Sequence, residues 1–381
     1  MSATRQPLPE AAAGFDDALD PASDAAFLEA FDLEAPPAVE PGAVTAVVLC
    51  HNEALRLPHF LAHHKAAGVT RFLIVDNGSD DGSAGIMDAD PAVTRLPSRK
   101  SYAVFKSRWR HVLADRYLVG RWVLFPDVDE LFVHPGWPEE SLPDYCARVE
   151  AAGFDCLFTT MVDMYPSGPL SACRYEPGTP FLDAADHFDA GNCRMTATPA
   201  KILRRWPTPP VQVFGGARER RFHAGASAGG DLLRRLVAGT LMSMNRGMNP
   251  GGLRRRLEKP LHRWLDSGAG CVPTPHMSKV ALMRWRRGAR FDGGVHRIDA
   301  AMALAPDICA LLHFKYLDDF RSRSEYLAAR GEHASGGAHY KLYASLGARV
   351  EEESFRTAIS RRFEGVRSLI EAGLMRDRLP R

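Results

Sequence analysis

Two aspartates one residue apart, Asp127 and Asp129, close the apolar run Trp122, Val123, Leu124 and Phe125 in the stretch FPDVDELF, and Glu130 follows at once. Such a run reads as a buried strand, and in extended chain alternate side chains point the same way, so both carboxylates should lie on one side. Two hard oxygen ligands side by side suit Mg²⁺ or Mn²⁺, which keeps its other positions for water and phosphate oxygens. An ion held there would neutralise charge building on a leaving diphosphate. A D-x-D pair alone is common in any acidic chain; its position at a strand end gives it weight.

The elements around the pair support that position. The run AVTAVVLC, ending at Cys50, suits a strand buried on both faces. A helix should follow, with Pro58 in its first turn, Leu57, Phe60, Leu61 and His64 on one face, and Gly68 past its end. RFLIV then repeats the strand pattern and breaks at DNGSDDGS, a loop of glycine, aspartate and asparagine. Strand, helix and strand make a parallel, right-handed unit. A further helix over YAVFKSRWRHVLADRYLV leads into RWVLF, so three buried strands are spelled by Phe125. In an open α/β sheet ligands bind beyond the carboxyl ends of the strands, and HNE, DNGSDDGS and DVDE all sit at such ends. HNEALR has no glycine, which excludes the dinucleotide-binding turn.

Composition bounds the rest. The 381 residues, 45% hydrophobic and 25% charged, can bury a sizeable core, and a net charge of +2 gives no bulk drive toward nucleic acid. Seven cysteines lie scattered without metal-binding or disulfide spacing, which points to reduced thiols. No run approaches the roughly 18 apolar residues of a membrane span, and the start lacks the regions of a signal peptide, so a cytoplasmic location is expected. Residues 1–42, rich in Ala, Pro, Asp and Glu, read as a solvated, disordered acidic tail in which AAFLEAF is the one apolar cluster able to dock. Arg218, Arg220 and Arg221 crowd GGARERRF, and Arg254, Arg255 and Arg256 stand in a stretch of about 224–271 that reads as a helical insertion, able to rest on an anionic membrane surface. From Ser354 onward, Phe355, Ile359, Phe363, Val366 and Ile370 recur at helical spacing.

Five stretches together, VVLCHNEALRLPHFLAHHKAAGVTRFLIVDNGSDDG, FPDVDELF, FGGARERRF, MSKVALMRWRRG and LLHFKYLDDF, carry a resemblance. The chain resembles a family 2 type glycosyltransferase of the GT-A fold, in a bacterial branch close to family 92, over most of residues 43–381. The resemblance implies an α/β fold with a Rossmann-like mixed sheet flanked by helices. The GT-A domain would span 43–330, and 331–381 would be a helical extension packed on it.

The activity implied is inverting transfer of a sugar from a nucleoside diphosphate sugar, expected to be UDP-linked, to a hydroxyl of a glycan or lipid-linked acceptor in surface polysaccharide synthesis. Asn52 and Glu53 would sit in the nucleotide pocket and Asp76 on the base or ribose; Asn77 stands where the family usually has aspartate. Asp127 and Asp129 would hold the metal and the ribose-diphosphate. His313, ending the run ICALL, would be a third metal ligand, with His296 as the alternative. Asp163, after the strand-like DCLFTTMV, is the expected general base, with Asp186 and Asp189 as competitors. Glu130 would orient or cap beside the metal pair, and Arg218 in GGAR would meet a phosphate. A non-catalytic nucleotide-sugar or carbohydrate binding protein is the alternative from another class. An aspartyl-phosphate phosphohydrolase is disfavoured, because its motif follows the first strand and Leu131 stands where it needs a small or hydroxylic residue.

Overall fold

In the computed structural model residues 19–223, 237, 240–266, 276–292 and 294–380 are described. The N-terminal half alternates strands and helices as the hydrophobic periodicity requires. In chain order these are α1 (Asp24–Ala30), β1 (Val44–Cys50), α2 (Leu57–Ala66), β2 (Arg71–Asp76), α3 (Ser83–Asp88), β3 (Val93–Pro97), α4 (Tyr102–Tyr117) and β4 (Trp122–Leu124). All seven residues of β1 are buried. The buried face of α2 is Leu57, Phe60, Leu61 and His64, the four positions its spacing singles out, and Gly68 beyond it adopts φ +104°. The chain continues through β5 (Glu130–Val133), α5 (Leu142–Ala151), β6 (Cys156–Asp163), β7 (His187–Asp189), β8 (Arg194–Ala197), β9 (Val211–Phe214), α6 (Gly216–Phe222) and α7 (Gly252–Asp266). It closes with β10 (Ser278–Arg284), β11 (Leu304–His313), α8 (Phe320–Arg330), α9 (Ala334–Ser345) and β12 (Ser360–Arg362).

One eight-stranded mixed sheet runs β3-β2-β1-β4-β10-β6-β11-β5. Strands β1 to β4 are parallel, β10 is antiparallel to β4 and β6, β11 is parallel to β6, and β5 is antiparallel to β11. The carboxyl ends of β1, β2, β4, β6 and β11 and the starts of β5 and β10 therefore share one rim. The 3-2-1-4 order of the parallel half is that of a Rossmann-like unit. Strand β3, which the sequence does not announce, is an edge strand with only Leu96 buried, so it lacks the apolar run that marks β1 and β2.

Only residues 125–129 connect β4 to β5 at the far edge of the sheet. Four strand spacings of ~4.8 Å would need those residues almost fully extended, yet the chain turns at Asp127–Glu130, so the sheet curls and β5 returns beside α2. There the free edge of β5 is satisfied by side chains: Phe132 N–H donates to His64 Nε2 at 3.3 Å, and its carbonyl meets His63 Nε2 at 2.9 Å.

Three expectations are corrected. The acidic N-terminal stretch is not wholly a solvated tail: α1, capped by Ser23, buries Phe27 and Phe31 against α4, and Trp109 Nε1 donates to the Ala30 carbonyl at 2.9 Å. Residues 1–18 lie outside the described residues. The C-terminal segment is not one helix from Ser354: Gly365, at φ +96°, separates β12 from a short helix at Val366–Glu371, and Phe355 and Phe363 are buried without sharing a helical face. Residues 331–380 also do more than extend the domain, since α9 walls the cavity described below. Of the expected insertion, 224–236, 238–239 and 267–271 lie outside the described residues, and α7 is a helix within the part that is described. No helix among the described residues is long and apolar enough to cross a membrane.

Candidate functional site

The common rim carries a cavity of about 470 Å³, within the range of small-molecule sites. The ends of β1, β4 and β11, the start of β10, and helices α6, α8 and α9 wall it.

Its floor is the segment Asp127–Glu130. The expectation of extended chain with paired carboxylates does not hold. Strand β4 rises to the rim and β5 descends from it, so the chain turns there: Glu130 N–H donates to the Asp127 carbonyl at 3.0 Å, and the Glu130 carboxylate accepts from Asp127 N–H at 3.0 Å. The two aspartates consequently meet different partners. Asp127 accepts from Lys279 Nζ at 2.6 Å and from Arg110 Nη2 at 3.3 Å, with 40% of its side chain exposed. Asp129, 6% exposed, accepts from Arg323 Nη1 at 3.0 Å, and its Oδ2 faces His313 Nε2 at 3.5 Å.

Charge balance explains the state of each group. Burial opposes the Asp127 carboxylate, yet Lys279 and then Arg110 outweigh it and bring its pKa to about 2. For Asp129 burial is likewise outweighed, by His313 and Arg323, which hold the carboxyl well below the ordinary range. Glu130 is wholly buried and its pKa is raised by that burial, against the pull of Lys279, whose Nζ donates to both its oxygens at 2.6 and 2.8 Å. Lys279 itself is 4% exposed; burial lowers its pKa, but Asp127 and Glu130 push it above the ordinary lysine value.

His313 ends β11 and is held from behind. Its Nδ1 lies 2.7 Å from Asp163 Oδ1, and Arg218 Nη2 reaches the same oxygen at 2.6 Å and Nδ1 at 2.8 Å. Both ring nitrogens thus face carboxylates, Asp163 at Nδ1 and Asp129 at Nε2, and Asp163 orients the ring from behind. Asp163, expected as the general base, is not on the cavity wall. It is 3% exposed, and Arg218 and His313 overcome its burial and hold its pKa far below the ordinary carboxylate range, which makes it a poor base. The competitors are also committed: Asp189 receives Arg220 at 2.8 and 2.9 Å and the Tyr165 hydroxyl at 2.6 Å, and Asp186 pairs with Arg362 and His187.

Of the residues expected to hold the nucleotide, Glu53 and Arg218 line the cavity; Asn52, Asp76 and Asn77 brace the loops behind it. Asn52, at φ +53°, is tied to Asp80 in both directions at 2.7 and 2.9 Å. Asp76 accepts from Ser79 N–H at 2.9 Å and from Arg95 at 3.3 Å. Asn77 donates to the carbonyls of Ser98 and Lys100 and receives Arg330. Helix α8 covers this crevice through Arg323 on Glu53, Tyr326 on His51 and Arg330 on Asn77. His296 is on the wall, its Nδ1 at 2.7 Å from the Ser278 carbonyl.

Sequence reasoning missed Lys279, Lys315, Arg323 and Arg330. Lys279 did leave a signal: burying a lone lysine near the start of the apolar strand Ser278–Arg284 is costly unless a counter-charge meets it.

No family model matches the chain, and no curated protein does. Among solved structures it is similar to a mannosyltransferase from Pyrobaculum calidifontis in complex with GDP-Man and Mn²⁺, at 19% identity and a TM-score of 0.24, over 36% of this chain and 40% of that one. It is also similar to a UDP-glucose pyrophosphorylase from Acinetobacter baumanii, at 10% identity and a TM-score of 0.23, over 58% of this chain and 99% of that one. The chain thus spans less than half the length of the mannosyltransferase that it matches.

Proposed function

We propose that the chain is a GT-A glycosyltransferase that moves a sugar from a nucleoside diphosphate sugar to an acceptor hydroxyl, with inversion and with the help of a divalent cation. The observation that carries this reading is the Asp129–His313 pair. A carboxylate oxygen and an imidazole nitrogen stand 3.5 Å apart on the wall of a ligand-sized cavity, where a proton joins them when the ring is charged and a cation can join them when it is neutral. Oxygen and imidazole together suit Mn²⁺.

The donor set fits such an ion in part. Asp129 and His313 would hold it, with Asp163 fixing the imidazole from behind, as carboxylates do behind metal-ligating histidines. Asp127 does not fit as a ligand, since Lys279 and Arg110 already take its two oxygens. Among the described residues no group of three or more His, Cys, Asp or Glu surrounds a single point, so the remaining positions would fall to diphosphate oxygens and water. When bound, the ion would supply charge neutralisation on the departing diphosphate.

The protein's own residues do the rest. Lys279 keeps the Asp127–Glu130 turn in one shape, Arg323 links Glu53 to Asp129 across the cavity, and α8 and α9 shield the reacting centre from bulk water. A second reading, a nucleotide-sugar binder without turnover, draws on one observation: the wall carboxylates Asp127, Asp129, Glu130 and Glu53 all carry internal cations, so none stands open as a base. Calorimetric titration with UDP and GDP, with and without Mn²⁺, followed by an assay of sugar transfer, separates the two. Binding with turnover supports the transferase, binding alone supports the binder, and no nucleotide binding under any condition removes both.

A further inference from the structure

Lys315 is a buried cation with no carboxylate of its own. It follows His313 by two residues and lines the same cavity, while Phe314 between them packs on Phe181 with ring centroids 4.8 Å apart. At 8% exposure, its Nζ donates to the Tyr340 hydroxyl at 3.1 Å and lies 4.5 Å over that ring and 5.7 Å from the centre of Tyr343. No aspartate or glutamate among the described residues comes within ion-pairing distance. Asp129, whose charge Lys315 helps to stabilise, is already held by Arg323 and faces His313. An ammonium has three protons to give and burying one without a counter-charge is unfavourable, so two donor directions and the charge itself wait for a partner.

The surroundings lack that partner in the same way. His339, on the same wall, has a buried Nδ1 with no hydrogen-bond partner. The charges that act on His339 come from His223, Arg218 and Lys315, and those on His333 from Lys315, Arg323, Lys106 and Arg330; no carboxylate is among them.

We propose that Lys315, His339 and the Tyr340 hydroxyl form an oxyanion subsite in this cavity, taking a phosphate or phosphate-like group through the ammonium and an imidazole N–H. The inference rests on the transferase reading only for the source of that group: a phosphate of the donor, or an acidic group on the acceptor.

The test is calorimetric titration of the full chain with inorganic pyrophosphate, without divalent cations, for wild type, Lys315→Met, Lys315→Arg and Tyr340→Phe, each checked for wild-type unfolding temperature. Wild type should bind, Lys315→Met should weaken binding by about tenfold or more, as loss of a charge-assisted hydrogen bond implies, and Lys315→Arg should recover much of it. Parallel titration with UDP and GDP assigns the source: equal losses place the donor diphosphate at Lys315, whereas unchanged nucleotide affinity places an acceptor group there. Wild-type pyrophosphate affinity in Lys315→Met, or no pyrophosphate binding by the wild type, overturns the subsite. Should Lys315→Met fail to fold, Tyr340→Phe decides, and unchanged affinity there overturns it too. A wild type that binds pyrophosphate but transfers no sugar would count against the transferase and leave the subsite standing.

Discussion

At the residue scale the site is a set of carboxylates, each tied to a cation from a distant part of the chain. Lys279 reaches Glu130 across 149 residues, and Arg218 reaches Asp163 across 55. Because Glu130 is fully buried and Lys279 nearly so, their pairing is a structural requirement of the turn as well as an electrostatic one. Removing one partner of a buried pair leaves the other uncompensated, which costs about 3–5 kcal/mol. Lys279→Met should therefore lower stability by about that much in urea unfolding, and adding Glu130→Gln should restore part of it, since the double variant buries one charge fewer. Equal stability of Lys279→Met and wild type would show that the pair does not hold the turn. Such pairings are hidden in a sequence. The D-x-D pair and its strand end were legible, but which cation meets which aspartate depends on elements elsewhere in the chain, β10 for Lys279 and α8 for Arg323, that arrive more than a hundred residues later.

At the scale of elements, helices and strands with a strong apolar period were readable, and those without one were not. The face of α2 came out residue for residue, because four apolar-compatible positions repeat at helical spacing. Edge strand β3 was invisible, since its half-exposed residues Thr94 and Arg95 break the apolar pattern. Helix α1 lay inside a stretch whose average composition is that of a solvated tail, and only its local cluster, with Phe27 and Phe31, pointed to docking. It binds α4 through Phe27, fully buried, and through the Ala30 carbonyl, which takes both Trp109 Nε1 and Ser98 Oγ. Truncating a buried phenylalanine costs about 3–5 kcal/mol, so Phe27→Ala should destabilise the protein by about 3 kcal/mol. A calorimetric unfolding temperature unchanged by the substitution would mean that α1 is not part of the core.

At the scale of the whole molecule, several histidines are built in as neutral groups. His64 Nε2 accepts from Phe132 N–H, His111 Nε2 from Phe291 N–H at 2.8 Å, and His134 Nδ1 from Gly136 N–H at 3.3 Å. Burial lowers the pKa of all three, well below the ordinary value for His64, to about 3 for His111 and to about 4 for His134. A group whose pKa is depressed on folding binds its proton more readily when unfolded. The stability it contributes is present above the unfolded value of ~6.5 and is lost as pH falls toward the folded value. Each of the three should remove about 1.4 kcal/mol per pH unit between about pH 6 and 4.5, and the depressed Asp129 and Asp163 should extend the loss below about pH 4. The unfolding temperature should fall steadily from about pH 6 to about pH 4.5; a flat profile over that range would contradict the neutral assignment.

The central claim is that Asp129 and His313 serve sugar transfer from a nucleoside diphosphate sugar. Its most direct test is the release of nucleoside diphosphate from UDP and GDP sugars with Mn²⁺ or Mg²⁺, compared for wild type, Asp129→Ala and Asp127→Asn. Slow metal-dependent release by the wild type, reduced by about 100-fold or more in Asp129→Ala, as expected for loss of a group acting on the leaving charge, is the predicted result. Asp127→Asn should retain more activity than Asp129→Ala, because Asp127 is tied to Lys279 and not to the imidazole. Release that is unaffected by Asp129→Ala, or absent with every donor and metal, would contradict the account.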